Sequence, residues 1–570
     1  MQHGKKLTFG VLPAMLCLVV LMLSACGSIS SQGSQVKASS DKQTFIYSQT
    51  GASDIATFDP ALATDATSNN AISLVFTGLV TLDDQLQIKP QLAQSWQESA
   101  DGQTWTFHLK PNLKFSDGTS LTSKDVAYSI DRALQKSLGS VTSPTYLGLI
   151  KDSDKLLAGQ IKTIIGDSVL TPDPQTVVLI TNSRAAYFLD TLTYSTSYVV
   201  EKKLIDKYGN HFTDHLTEGG STGPYVVQEY DQHRQIIFTP NPNYYGPKPQ
   251  IQKIIMPFFV DPATAFKTYQ TGRVDYTPVP SENYQSVKSQ PDFHKVAQLS
   301  TVSFAMNYLV KPFDNIKVRQ GMALALNKEA IVHAIWKDTN IATNHIVPQG
   351  MPGYDSKLIN QDNTTSTKGN PTLARQLFDQ GLREEGYSNP GQLPTIHLTY
   401  QGGSKDIDRE IAASIQMWQN VLGVSIKPEA VDFNKFLDEL SGTANNPKGL
   451  QMWRENWLAD YPDPQDWLTL QFGKGAANNA INFGQNNSTD AASQQLLQNQ
   501  MANADTNPNL QARMESYNTI EQQVINNVGW LPIYQYATSY QLKSYVHGLH
   551  INELGLIPPD DWANIYITQH

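Results

Sequence analysis

Cysteine is almost missing from these 570 residues: there are two, Cys17 and Cys26. Both lie within the first 26 positions, so the rest of the chain can form neither a disulfide nor a thiolate metal cluster, and its stability must come from packed core. Long runs of Lys or Arg are also lacking, and with 42 basic against 52 acidic residues the formal charge is −10. Phosphate binding needs a concentrated basic surface, which argues against a nucleic-acid partner. There is no H-E-x-x-H metalloprotease pattern and no internal repeat of solenoid length. The apolar run from Leu7 to Leu23 is short for a membrane span of about 20 residues.

What is present begins at the N-terminus. Lys5 and Lys6 precede the apolar run, and Leu23-Ser24-Ala25-Cys26 closes it with small residues and a cysteine, the pattern of a cleaved secretory signal over residues 1–25. That motif resembles a bacterial lipobox, which implies a diacylglyceryl group on Cys26. Two or more acyl chains hold a membrane stably where one, at about 0.8 kcal/mol per buried CH₂, is marginal. Loss of Lys5 and Lys6 with the signal takes the charge from −10 to −12. Gly27 to Ser40 is rich in Gly, Ser and Gln without apolar periodicity, so residues 26–42 are expected to form a flexible tether.

Further along, strand-like and helix-like segments alternate, which indicates an α/β protein. Trp105, Phe107 and Leu109 share one face at period 2, predicting a half-buried strand over Thr104–Lys110. Asp117-Gly118 predicts a turn. Thr122-Ser123-Lys124-Asp125 resembles a capping box ahead of Val126, Ile130 and Leu134. Asn370-Pro371 predicts another helix start, before Leu373, Leu377 and Leu382. Thr395–Tyr400 alternates as a strand. A stripe of Ile407, Ile411, Ile415, Trp418 and Leu422 predicts a helix ended by Gly423, followed by a strand over Val424–Ile426.

Several blocks occur in a telling order: Pro90-Gln91-Leu92-Ala93-Gln94-Ser95-Trp96, Phe115-Ser116-Asp117-Gly118, Gly223-Pro224-Tyr225, Asn241-Pro242-Asn243-Tyr244-Tyr245, Ala325-Leu326-Asn327 and Trp457-Leu458-Ala459-Asp460-Tyr461. Through them the chain from about Asp59 to Tyr536 resembles the large solute-binding proteins of ABC importers, the peptide- and nickel-binding family. The resemblance implies an α/β fold of two lobes joined by a hinge, with an extra domain inserted in the first lobe. The expected division is lobe I over 43–78, 205–299 and 529–570, the inserted domain over 79–204, and lobe II over 300–528.

The same resemblance implies a function without covalent chemistry or cofactor: capture of a short peptide, or another small amine-bearing solute, for a membrane permease with cytoplasmic ATPases. It implies an extracytoplasmic monomer, lipid-anchored through Cys26. In peptide-binding relatives the aspartate of the Trp-x-Ala-Asp motif accepts the peptide ammonium, a position that Asp460 matches. Arg454, six residues earlier, has the spacing of an arginine that meets the peptide carboxylate or instead pairs internally. Trp457 and Tyr461 are expected to wall the ligand, and Tyr146 to lie against its backbone. Nickel chelates, opines and oligosaccharides are alternative ligands on this fold, and a surface signalling or adhesion receptor is an alternative role.

Other patterns are weaker. Gly219-Gly220-Ser221-Thr222-Gly223 has the form of a hydrolase nucleophile elbow, but Pro224-Tyr225-Val226-Val227 reads as a strand where an elbow requires a helix. Asp460, Asp463 and Asp466 have no glycosidase spacing that a sequence can establish. His211 with His215 and His547 with His550 are expected to be ordinary surface or core histidines. Asn307 is expected to be structural.

Overall fold

The computed structural model describes residues 36–570. The signal segment, Cys26 and residues 26–35 of the expected tether lie outside the described residues. The last part of the expected tether, from Val36 on, is structured. Lys37 bridges to Thr568, the Ala38 amide donates to the Ile567 carbonyl at 2.9 Å, and Ala38 is buried. Low periodicity hid this pairing because the contact is made by backbone, which composition does not report.

The first lobe is built on a five-stranded sheet ordered Thr44–Ile46, Lys253–Phe259, Gln235–Pro240, Tyr225–Asp231, with Gln49–Thr50 added at the second strand. Phe45, Ile236, Phe238, Ile254 and Met256 supply its core together with the helix Ala66–Val75 and the C-terminal Trp562. A separate four-stranded antiparallel sheet, Ala93–Glu98, Thr104–Leu109, Thr176–Ile180 and Val169–Asp173, forms the inserted domain. Trp105, Phe107 and Leu109 point into its core as their alternation requires, and the helix Ser123–Ala133 covers it with Val126, Ala127 and Ile130. At that helix start the Asp125 carboxylate accepts from the Thr122 amide at 2.8 Å, the reciprocal half of the expected capping box.

The second lobe is organised by a seven-stranded mixed sheet ordered Tyr276–Pro278, Leu531–Leu542, Phe293–Met306, Met452–Leu458, Ile396–Gln401, Ile426–Val431, with Ile341–Ala342 on the second of these. Alternation sends Val302, Phe304 and Met452 to one core and Leu299, Ala305 and Trp453 to another on the opposite face. Asn370 caps the helix Pro371–Glu384 by accepting from the Leu373 amide at 3.1 Å. The helix Lys405–Leu422 ends on Gly423 at φ +70°, a left-handed residue as expected. The following strand starts two residues later than predicted, at Ile426, and carries Pro428 on the sheet edge, where a missing N–H costs nothing.

Two strands reach beyond this lobe. Phe293–Met306 pairs with Leu531–Leu542 from Phe304–Leu531 in the second-lobe core to Phe293–Gln541, and Leu542 then pairs with Tyr276. Tyr276, Tyr540 and Leu542 pack in the first-lobe core. The segment 529–570 therefore does not belong wholly to lobe I: its first strand begins inside lobe II and crosses between them. Two such strands form a natural hinge, since bending them separates the lobes without unpairing either sheet.

Candidate functional site

Strands Ile396–Gln401, Ile426–Val431 and Met452–Leu458 are parallel, so their carboxyl ends share one edge of the sheet. In open α/β sheets ligands bind outside that edge. Asp460 emerges there, two residues past the strand pairing of Leu458 with Ser300. A cavity opens beside it, walled by Asn69 of the first lobe, Leu82, Tyr194 and Tyr198 from around the inserted domain, and Leu556 near the C-terminus. Its volume of about 40 Å³ holds a few waters, each needing about 10–15 Å³. A solute larger than a few waters does not fit in it.

The acid is held from two sides. The Tyr146 hydroxyl of the inserted domain donates to Asp460 Oδ1 at 3.3 Å, and the Tyr146 ring stacks on Tyr194 with centroids 3.9 Å apart and planes within 3°. The Asp460 amide donates to Asp466 Oδ2 at 3.1 Å, and Trp457 Nε1 donates to the same oxygen at 3.1 Å. Burial pushes the Asp460 carboxyl up to about 6, an effect the Tyr146 hydrogen bond opposes. Asp466 is fully buried, and burial first, then the Asp460 charge, hold it well above the usual carboxylate range. Among the described residues Asp460 has no ion-pair partner.

Arg454 does not meet Asp460; of its two expected roles it takes internal pairing, with Glu410 as the partner. Its Nε donates to Glu410 Oε1 at 2.8 Å and its Nη2 to the Tyr534 hydroxyl at 2.7 Å, with Glu410 completed by Tyr534 at 2.8 Å and Trp336 Nε1 at 2.9 Å. The physical reason is strand periodicity. Residues 454 and 457 are an odd number apart and face opposite sides of the sheet, so Arg454 points to the helix carrying Glu410 and Trp457 to Asp466.

Trp457 packs against the second-lobe core and fixes Asp466, rather than lining the cavity. The ring of Tyr461 is covered by Tyr187 of the inserted domain at 5.6 Å and 9°, and its hydroxyl donates to Gln465 Oε1 at 2.5 Å. Beside that stack the Ala186 amide donates to the Asp505 carbonyl at 2.9 Å, while Asp463 pairs with Arg513 at 2.5 Å. The inserted domain thus rests on the second lobe next to the Asp460 loop. Sequence reasoning passed over Tyr194 and gave Asp466 no role; the first has no local signal, whereas the Pro464–Asp466 turn that folds Asp466 back under Asp460 is marked by Pro464.

The weaker patterns are structural. Ser221 is buried, no described side chain bonds its hydroxyl, and the strand Tyr225–Asp231 follows it, so it is no nucleophile elbow. His215 stacks on Tyr208 and His547 on Tyr566. No group of three or more metal-ligating side chains is assembled among the described residues. Asn307 is buried and donates to the Asn446 carbonyl at 3.0 Å.

An acid-bearing cavity between lobes that two shared strands connect puts the protein in the two-lobed class of solute-binding proteins. The profile of the bacterial extracellular solute-binding proteins, family 5, matches residues 87–479, and the chain belongs to that family. Its members are binding proteins, not enzymes. The chain is 25% identical to the dipeptide-binding protein DppE of Bacillus subtilis over 98% of each chain. It is 26% identical to the periplasmic oligopeptide-binding protein OppA of Salmonella typhimurium over 93% of each. The fold is similar to that of an unliganded open form of the periplasmic murein tripeptide-binding protein MppA, with a TM-score of 0.77 and 23% identity over 94% of this chain and 99% of that one. No helix among the described residues is long and apolar enough to cross a membrane.

Proposed function

We propose that the protein captures short peptides between its lobes and delivers them to a membrane permease driven by cytoplasmic ATPases, tethered outside the cytoplasm as a monomer by a lipid on Cys26. Asp460 accepts the peptide ammonium, with Tyr146 beside it and Trp457 and Tyr461 framing its loop. The single observation that carries this reading is Asp460 itself: a largely buried carboxylate on the wall of an interlobe cavity, with no cation among the described residues to pair with it. An unpaired buried charge costs several kcal/mol, and a ligand ammonium relieves that cost. Relatives named for dipeptides and oligopeptides support a peptide over other amines.

The narrow cavity and the paired hinge strands support capture by closure. A ligand touching Asp460 on one lobe and Asn69 or Tyr194 across the gap favours the closed form through contacts to both, as a population shift requires. Native mass spectrometry of protein purified from cells tests the reading. Bound species are expected to be peptides of about two to five residues held by main-chain bonds; a bound sugar or metal chelate in their place sinks it. The lipid is tested separately, since Cys26→Ser is expected to move the protein from the membrane fraction to the aqueous one.

A further inference from the structure

The three-residue turn Pro464–Asp466 brings a second acid beneath the first. Asp466 Oδ2 accepts from the Asp460 amide and from Trp457 Nε1, whereas its Oδ1 is buried and has no hydrogen-bond partner among the described residues. That orphaned oxygen sits in a fully buried residue whose other oxygen holds the backbone amide of the second acid, Asp460. The groups facing the pair are the Tyr146 and Tyr194 hydroxyls from the inserted domain and Tyr461 and Asp463 from the same loop. The nearby cations are spent elsewhere, Arg513 on Asp463 and Arg454 on Glu410. Among the described residues no cation pairs with either acid.

Building on the peptide-capture reading, we propose that Asp460 and Asp466 share one proton in the empty site and that a ligand ammonium displaces it on binding. Two acids held together by the bond from the Asp460 amide to the Asp466 carboxylate, in a site without a cation, resist ionising together and titrate as a pair rather than singly. The empty pair holds one proton and a charge of −1. When an ammonium bonds to Asp460, one carboxyl O–H bond breaks, its proton leaves to solvent, and two carboxylates with one ammonium again carry −1. Binding is therefore an exchange of one cation for another at constant site charge. Asp466 acts as a positioning residue that never touches the ligand, but fixes how many protons the site must give up. Affinity tightens about tenfold per pH unit while the pair is protonated and the peptide ammonium, with an ordinary value near 8, stays charged.

The test has a ligand-free arm and a ligand arm. Carboxyl ¹³C NMR of the empty protein is expected to show Asp460 and Asp466 titrating together in two steps, the upper one above the ordinary aspartate range, and Asp466→Asn to leave Asp460 with a single step. Calorimetry with trialanine at pH 7, in two buffers of different ionisation enthalpy, is expected to report release of about one proton. Asp466→Asn, whose amide oxygen still accepts from Trp457 and the Asp460 amide, should retain binding while losing most of the release and the pH slope. Two independent titrations near the ordinary value, or binding without proton release, overturn the shared proton and leave peptide capture standing. Paired titration with no affinity for trialanine upholds the shared proton and counts against peptide capture.

Discussion

The Tyr146 hydroxyl donates to the Asp460 carboxylate at 3.3 Å across the gap between the inserted domain and the second lobe. One neutral donor is the only side chain bonded to that carboxylate among the described residues, and a hydrogen bond from a tyrosine does not cancel a charge. The empty site is therefore held in an electrostatically unfavourable state that a cationic ligand improves.

This state has a pH signature in the stability of the empty protein. The Asp460 carboxyl, at about 6 in the fold, lies above its ordinary 3.8. Its contribution is fully present below pH 3.8 and is lost as pH rises through 6, because the folded form binds the proton more tightly than the unfolded one. Asp460→Asn removes this loss, so the variant is expected to be more stable than the parent by about 3 kcal/mol well above pH 6. Melting curves at pH 4 and pH 7.5 check this: the gain should appear at the higher pH and shrink at the lower.

Arg454 makes a contrasting case. Glu410 is wholly buried and relies on Arg454, Tyr534 and Trp336. Arg454→Ala strands its charge and should cost about 3–5 kcal/mol. Denaturant unfolding measures that loss. Peptide affinity of the fraction that remains folded should be unchanged, which separates a structural arginine from one that meets a carboxylate.

Tyr187 stacks on Tyr461 where the inserted domain rests on the second lobe. Tyr187→Ala removes a contact between the two bodies worth about 0.5–1.5 kcal/mol, together with some packing on the edge of the inserted-domain core. The ligand-free variant should populate the open form more, seen as a larger radius of gyration by small-angle X-ray scattering. An unchanged radius would mean that this stack does not hold the lobes together.

Much of the fold was legible because it is written in local periodicity. The alternating Trp105, Phe107 and Leu109, the Asn370-Pro371 helix start and the Gly423 helix end all appear where their chemistry puts them. The site was legible in part. The Trp457–Asp460 motif marked the right loop, and counting strand residues by twos would have set Arg454 on the face opposite Trp457. Tyr194 and Tyr187 reach the Asp460 loop from more than 260 positions upstream, a tertiary arrangement for which a single sequence has no signal. The pairing of Lys37 with Thr568 was hidden for the same reason.

Calorimetry of one peptide in free and N-acetylated form, against the parent protein and Asp460→Asn, tests the role of Asp460 most directly. Acetylation should weaken binding to the parent by about 2 kcal/mol or more, the usual cost of stranding one member of a buried charge pair. In Asp460→Asn the free peptide should bind as poorly as the acetylated one, so the two losses do not add. Equal affinity of the parent for both forms would contradict the assignment of Asp460 as the ammonium acceptor.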